Sequence, residues 1–165
     1  MEVSYSYTEF EYPNLERVLN GMGSRMIEYM RDKLGDGINA TGKLSQSLAC
    51  LVQQDGQAWE VSISLEDYWK YVEYGTKPHW VPIQAIRSWV VAKPVIPTER
   101  SGKLPTVEEL SHMIKWKIHE EGTEKHEFFW NSVEEAVADF EAAVEEALGQ
   151  DVDMNIEALL LPLKF

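Results

Sequence analysis

Residues 68–80 read Tyr68-Trp69-Lys70-Tyr71-Val72-Glu73-Tyr74-Gly75-Thr76-Lys77-Pro78-His79-Trp80, five aromatic rings in thirteen residues closed by a stiff corner. Gly75 is the natural stop for the first half, because glycine takes the positive φ that other residues resist. Pro78 then forces the chain to run extended. So much ring surface is costly to leave in water, so the block belongs to a core or to an interface. It holds no nucleophile, metal cage or phosphate cradle, and so points toward assembly instead of chemistry.

At 165 residues the chain is expected to be a single domain, 1–165, with a core of its own. Its 44% hydrophobic and 26% charged content is ordinary for a globular protein. One cysteine, Cys50, allows no internal disulfide, and its apolar neighbours Leu48, Ala49, Leu51 and Val52 favour a buried, inert thiol. The N-terminus lacks the basic and apolar blocks of a signal peptide. No apolar run approaches the roughly 20 residues of a membrane helix, so no membrane partner is expected.

The net charge of −13 is unevenly spread. Residues 1–125 carry 18 acids and 14 bases, whereas residues 126–165 carry ten acids and only Lys164. That distribution disfavours ordinary phosphate-contacting nucleic-acid binding, which needs Lys and Arg on one face. A solvated acidic helix face is the plain interpretation; a surface that repels DNA or meets a basic partner is the functional one.

Along the chain, Val3, Tyr5, Tyr7, Phe10 and Tyr12 suggest a strand or arm over 1–13, ended by Pro13. Asn14 is placed to cap a helix whose stripe is Leu15, Val18, Leu19, Met22, Met26, Tyr29, Met30 and Leu34, running to Gly35-Asp36-Gly37. Gly21 and Gly23 inside it suggest close packing. Asp55-Gly56 between Ala49–Gln53 and Ala58–Leu65 signals a hairpin, and Trp59, Val61, Ile63 and Leu65 alternate with polar residues. Ile83, Ile86, Trp89 and Val90 predict a helix over 81–92. Thr106 and Glu109 form a capping box for another, ending at Gly122. After an aromatic link at 126–130, a last helix is expected over 132–148. Residues 149–165 are expected to form a C-terminal arm. Strand, helix, hairpin and then helices make an α+β fold: a small antiparallel sheet including the central hairpin, packed on the long N-terminal helix.

Candidate chemistry is thin. His112, His119 and His126 recur every seven residues, which on one helix spreads them over about 10 Å of rise per step, too far for one metal ion. Asp67 with Glu73, or Glu120 with Glu121, could support a carboxylate-dependent hydrolase near the aromatic rings. No spacing singles these carboxylates out. Gly21-Met22-Gly23 lies inside a helix pattern and lacks the Gly-Lys-Ser/Thr ending of a phosphate loop. No catalytic residue, metal or cofactor is expected.

Four segments carry a family likeness. Thr41-Gly42-Lys43-Leu44-Ser45-Gln46-Ser47-Leu48 is similar to a Thr-Gly-x-Leu-x-x-Ser segment that follows the first helix. Tyr71-Val72-Glu73-Tyr74-Gly75-Thr76 resembles a Tyr-Val-Glu-Phe/Tyr-Gly-Thr signature. Trp80-Val81-Pro82-Ile83, with Ile86 and Trp89-Val90, then the helix closing on Glu121-Gly122-Thr123, resembles the helical insertion of longer members. His126-Glu127-Phe128-Phe129-Trp130 is near a Pro-Phe-Phe/Leu segment, with Glu127 at the usual proline. In this order they resemble the neck, head–tail joining (minor tail component, tail completion) proteins of tailed bacteriophages, over residues 14–148 with an insertion at about 81–122.

The resemblance implies a structural virion protein without enzyme activity. It would be assembled in the bacterial cytoplasm as a homo-oligomeric ring between the portal or its adaptor and the tail, around passing double-stranded DNA. Tyr68, Trp69, Tyr71, Tyr74, Trp80 and Trp89 are then expected at a subunit interface. Glu134, Glu135, Asp139, Glu141, Glu145 and Glu146 would face the channel, where an anionic wall lets DNA slide. An acidic DNA mimic that blocks a basic host protein is the alternative.

Overall fold

The computed structural model describes residues 10–38, 41–56, 58–93 and 104–160. The apolar stripe from Leu15 to Leu34 builds α1 (Pro13–Ile38), interrupted at Gly35, whose φ of 44° is left-handed. Met26, Ile27, Met30 and Leu34 are buried along it. Pro13 does not end an arm here. It is the first helical residue, where its missing N–H costs nothing. Asn14 consequently lies within the first turn and is not the cap. Residues 1–9 of the expected arm lie outside the described residues, and 10–12 have no regular structure.

A short α2 (Lys43–Ser47) buries Leu44 and leads through the buried Leu48 into the hairpin. β1 (Ala49–Asp55) and β2 (Ala58–Ser64) pair antiparallel from Ala49↔Ser64 to Asp55↔Ala58. Gly56, at φ 61°, supplies the tight turn. The register puts Cys50 opposite Ile63 and Val52 opposite Val61. This apolar face packs on α1, where Gly23 admits it: a Cβ there would strike the Cys50 sulfur.

α3 (Trp69–Tyr74) follows, then a helical pair, α4 (Ile83–Ala92) and α5 (Val107–Glu121), which pack chiefly on each other through Ile86, Val90 and Ser111. The Thr106–Glu109 capping box forms at the start of α5. The last helix, α6 (Phe128–Leu160), is longer than the 132–148 expected and runs straight through Gly149. The proposed arm at 149–165 is therefore helix as far as 160, and 161–165 lie outside the described residues. α6 packs antiparallel on α1: Lys33 meets Glu135, Tyr29 meets Asp139 and Asn14 meets Asp151. The core sits between these two helices and the hairpin, with Phe128 and Met30 fully buried. The architecture is α+β, a two-stranded antiparallel sheet among long helices.

Candidate functional site

Two Gly-Thr pairs 47 residues apart meet face to face. The backbone N–H of Thr76 donates to the carbonyl of Thr123 at 3.2 Å and Thr123 returns the bond at 3.1 Å, while their hydroxyls lie 3.0 Å apart. Gly75 (φ 68°) and Gly122 (φ 80°) flank this bridge, and a Cβ on either would collide with the opposite strand's carbonyl oxygen. Glycine is thus required twice, by conformation and by approach. The clasp closes residues 77–122 into an insertion that leaves and re-enters the body at one point.

Beside the clasp, Glu73 is 1% exposed. Its carboxylate accepts the backbone N–H of Phe129 at 2.8 Å and of Trp130 at 3.4 Å, satisfying donors of the first turn of α6. Its own carbonyl accepts from His126 and Glu127. Glu73 is a cap, and with both oxygens engaged on α6 it is unsuited to acid–base work. Asp67, Glu120 and Glu121 are exposed, so the carboxylate pairs weighed for hydrolysis form no enclosed site.

The clasp separates two exposed aromatic surfaces. On the body side, Tyr71 is 65% and Tyr74 58% exposed, and the indole N–H of Trp130 on α6 donates to the Tyr74 hydroxyl at 2.7 Å. On the insertion, Trp80 stacks on His119 with centroids 3.6 Å apart, Trp116 meets Trp80 edge-on, and the Lys115 ammonium sits 5.3 Å from the Trp80 ring. Trp80 and Trp116 each leave more than half their surface in water. His119 Nδ1, at the base of this group, is buried with no hydrogen-bond partner.

The six expected interface residues divide accordingly. Tyr68, Tyr71, Tyr74 and Trp80 are exposed. Trp69 is half-buried against Phe129 at 4.7 Å and belongs to the subunit's own packing. Trp89 is half-buried with Lys93 over its ring. Trp116 and Trp130 join the exposed set, and both lie off the core-facing stripes of their helices.

The six acids of α6 are all exposed but do not share one face. At 3.6 residues per turn, Glu134, Glu141 and Glu145 fall within about 40° of one another. Glu135, Asp139 and Glu146 form a second line roughly 120° away, continued by Asp153 and Glu157. The second line borders α1: Glu135 pairs with Lys33 at 2.5 Å, and Asp139 accepts from Tyr29 at 2.5 Å, a bond that raises the phenol's pKa above its ordinary value. The first line runs beside exposed Val137, Leu148 and Val152.

No family, no curated protein and no solved structure matches this chain. Among the described residues no group of three His, Cys, Asp or Glu side chains is placed to hold a metal ion, and no helix is long and apolar enough to cross a membrane. The four histidines are engaged separately: His79 Nδ1 with the Lys77 carbonyl, His112 with Glu108, His119 with Trp80, and the His126 backbone with Val72 and Glu73.

Proposed function

We propose that this chain is a structural subunit of the neck of a tailed bacteriophage, forming a homo-oligomeric ring that joins the portal or adaptor to the tail around the DNA channel. The observation that carries this reading is the pair of exposed aromatic surfaces, one on each side of the Thr76–Thr123 clasp. A ring built from head-to-tail contacts needs two different sticky patches on every subunit, and exposed Trp and Tyr are the residues that anchor interfaces. The ordered likeness of residues 14–148 to neck proteins supports the same conclusion.

The channel wall in this reading is the α6 line of Glu135, Asp139 and Glu146, with Asp153 and Glu157. α6 contributes only acids to it, with Lys33 of α1 pairing Glu135 at one end, and the net negative charge holds duplex DNA off the protein. The other line, Glu134, Glu141 and Glu145, is flanked by apolar side chains better suited to a protein neighbour.

Deleting the gene from the phage or prophage that carries it tests the role. Filled heads and separate tails that fail to join, restored by expressing the protein in trans, are the expected result. Normal joined particles would refute it. A DNA-mimic inhibitor would instead be dispensable for assembly and would remain free in the infected cell.

A further inference from the structure

Residues 77–122 carry seven bases against five acids, while the rest of the chain carries eight bases against 23 acids. Among its described residues, 77–93 and 104–122, the insertion carries five bases and four acids, close to neutral beside a strongly acidic body. Its exposed Trp80–Trp116–His119 group has Lys115 over it, within 5.3 Å of the Trp80 ring. α6, in contrast, carries nine acids and no base between Phe128 and Leu160. Its outward face lines up Trp130, Val137, Leu148 and Val152, each at least 42% exposed, beside Glu134, Glu141 and Glu145. Among the described residues these side chains stay open to water apart from the Tyr74 hydroxyl at Trp130, and α1 packs on a different side of the helix through Ala136 and Ala147.

We propose that the insertion of one subunit docks on the outward face of α6 of a second copy of this chain, with Trp80 and Trp116 against the apolar line and Lys115 toward Glu134, Glu141 and Glu145. This rests on the ring reading and names its contact surfaces. The two surfaces differ, so the contact is heterologous, and repeated copies close a ring or extend a filament. Charge disfavours α6 on α6, which would set nine acids against nine, whereas Lys77, Lys115 and Lys117 of the insertion offer the α6 acids an opposite charge. The apolar line supplies the area removed from water, and the charges supply orientation.

Charge reversal on the purified full chain tests the contact. One variant carries Lys77→Glu, Lys115→Glu and Lys117→Glu; the other carries Glu134→Lys, Glu141→Lys and Glu145→Lys. All six side chains lie at the surface or are only partly covered, and circular dichroism and melting temperature check that each variant folds. Sedimentation at low salt should show the wild type associating and each variant at least tenfold weaker. Mixing the two variants should restore association, because each then offers the charge that the other's reversed face requires. Wild-type association should weaken as salt rises. Oligomers that persist in both variants, or a mixture no stronger than its components, would overturn the contact and leave the ring reading standing. A wild type that stays monomeric at every concentration would overturn the contact, while joined particles in the gene-deletion experiment would separately overturn the neck role.

Discussion

The carboxylate of Asp151 accepts the backbone N–H of Leu15 at 2.8 Å, across 136 residues of sequence. It also accepts from the Asn14 backbone at 3.1 Å and side chain at 2.7 Å, and it is fully buried. α6 thereby caps α1. Replacing Asp151 by Ala leaves two donors of the first turn without a partner and should cost about 2–3 kcal/mol. For a chain of this size that is roughly 5–10 °C of melting temperature. Asp151→Asn, which keeps an acceptor but loses the charge, should cost about half as much. Chemical denaturation of the three proteins checks the order.

Glu73 makes the reciprocal weld, from α3 to the first turn of α6. Glu73→Ala should destabilise by about 2–3 kcal/mol, and Glu73→Gln by less, since one amide oxygen still reaches Phe129. The loss should appear in hydrogen exchange as faster opening of residues 128–132, ahead of the hairpin. Equal protection in mutant and wild type would contradict the capping role.

At the clasp, Gly122→Ala forces a Cβ into the Thr76 carbonyl at a positive φ and should cost at least about 2 kcal/mol. Thr76→Val removes the hydroxyl pair and a second acceptor for the Thr123 N–H, which keeps its bond to the Thr76 carbonyl, and should cost under about 1 kcal/mol. A thermal melt of both separates backbone approach from side-chain bonding. Comparable losses would show that the hydroxyls, and not the glycines, hold the insertion.

Glu127 sits at φ 43°, the one left-handed non-glycine among the described residues. Proline is locked near −65° and cannot adopt this conformation. Glu127→Gly should stabilise by about 0.5–1 kcal/mol, and Glu127→Pro should disrupt the entry to α6. Denaturation midpoints moving in opposite directions check both. A neutral Glu127→Pro would mean that the junction adopts another backbone path.

Much of the fold is legible in the sequence because its causes are local. The Leu15–Leu34 stripe, the Asp55-Gly56 turn and the Thr106–Glu109 capping box each act within a few residues, and each forms as expected. The far end of α6 is different. Gly149 costs a helix only about 1 kcal/mol, and that is offset by contacts from 136–144 residues away, Asp151 on Asn14 and Leu15 and Asn155 on Glu11. Asn14 has the residue type and position of a cap, but the cap is Asp151 on α6. The candidate surfaces were half visible: the aromatic block announced buried or shared rings, and helical periodicity held the signal for Trp116 and Trp130. Which rings the subunit keeps for itself, as with Trp69 on Phe129, depends on packing no local pattern contains. The division of the α6 acids into two lines follows from periodicity, but their distinct neighbours, α1 on one side and exposed apolar residues on the other, follow from tertiary structure.

The proposed place of this protein in a virion is tested most directly by electron cryomicroscopy of particles produced by the genome that encodes it, labelled with antibody raised against the purified chain. A neck subunit should carry label at the single head–tail junction, in a ring of density that accepts the subunit with Glu135, Asp139 and Glu146 turned toward the axis. Particles without label at the junction, or a ring whose channel is lined by the aromatic surfaces, would contradict it.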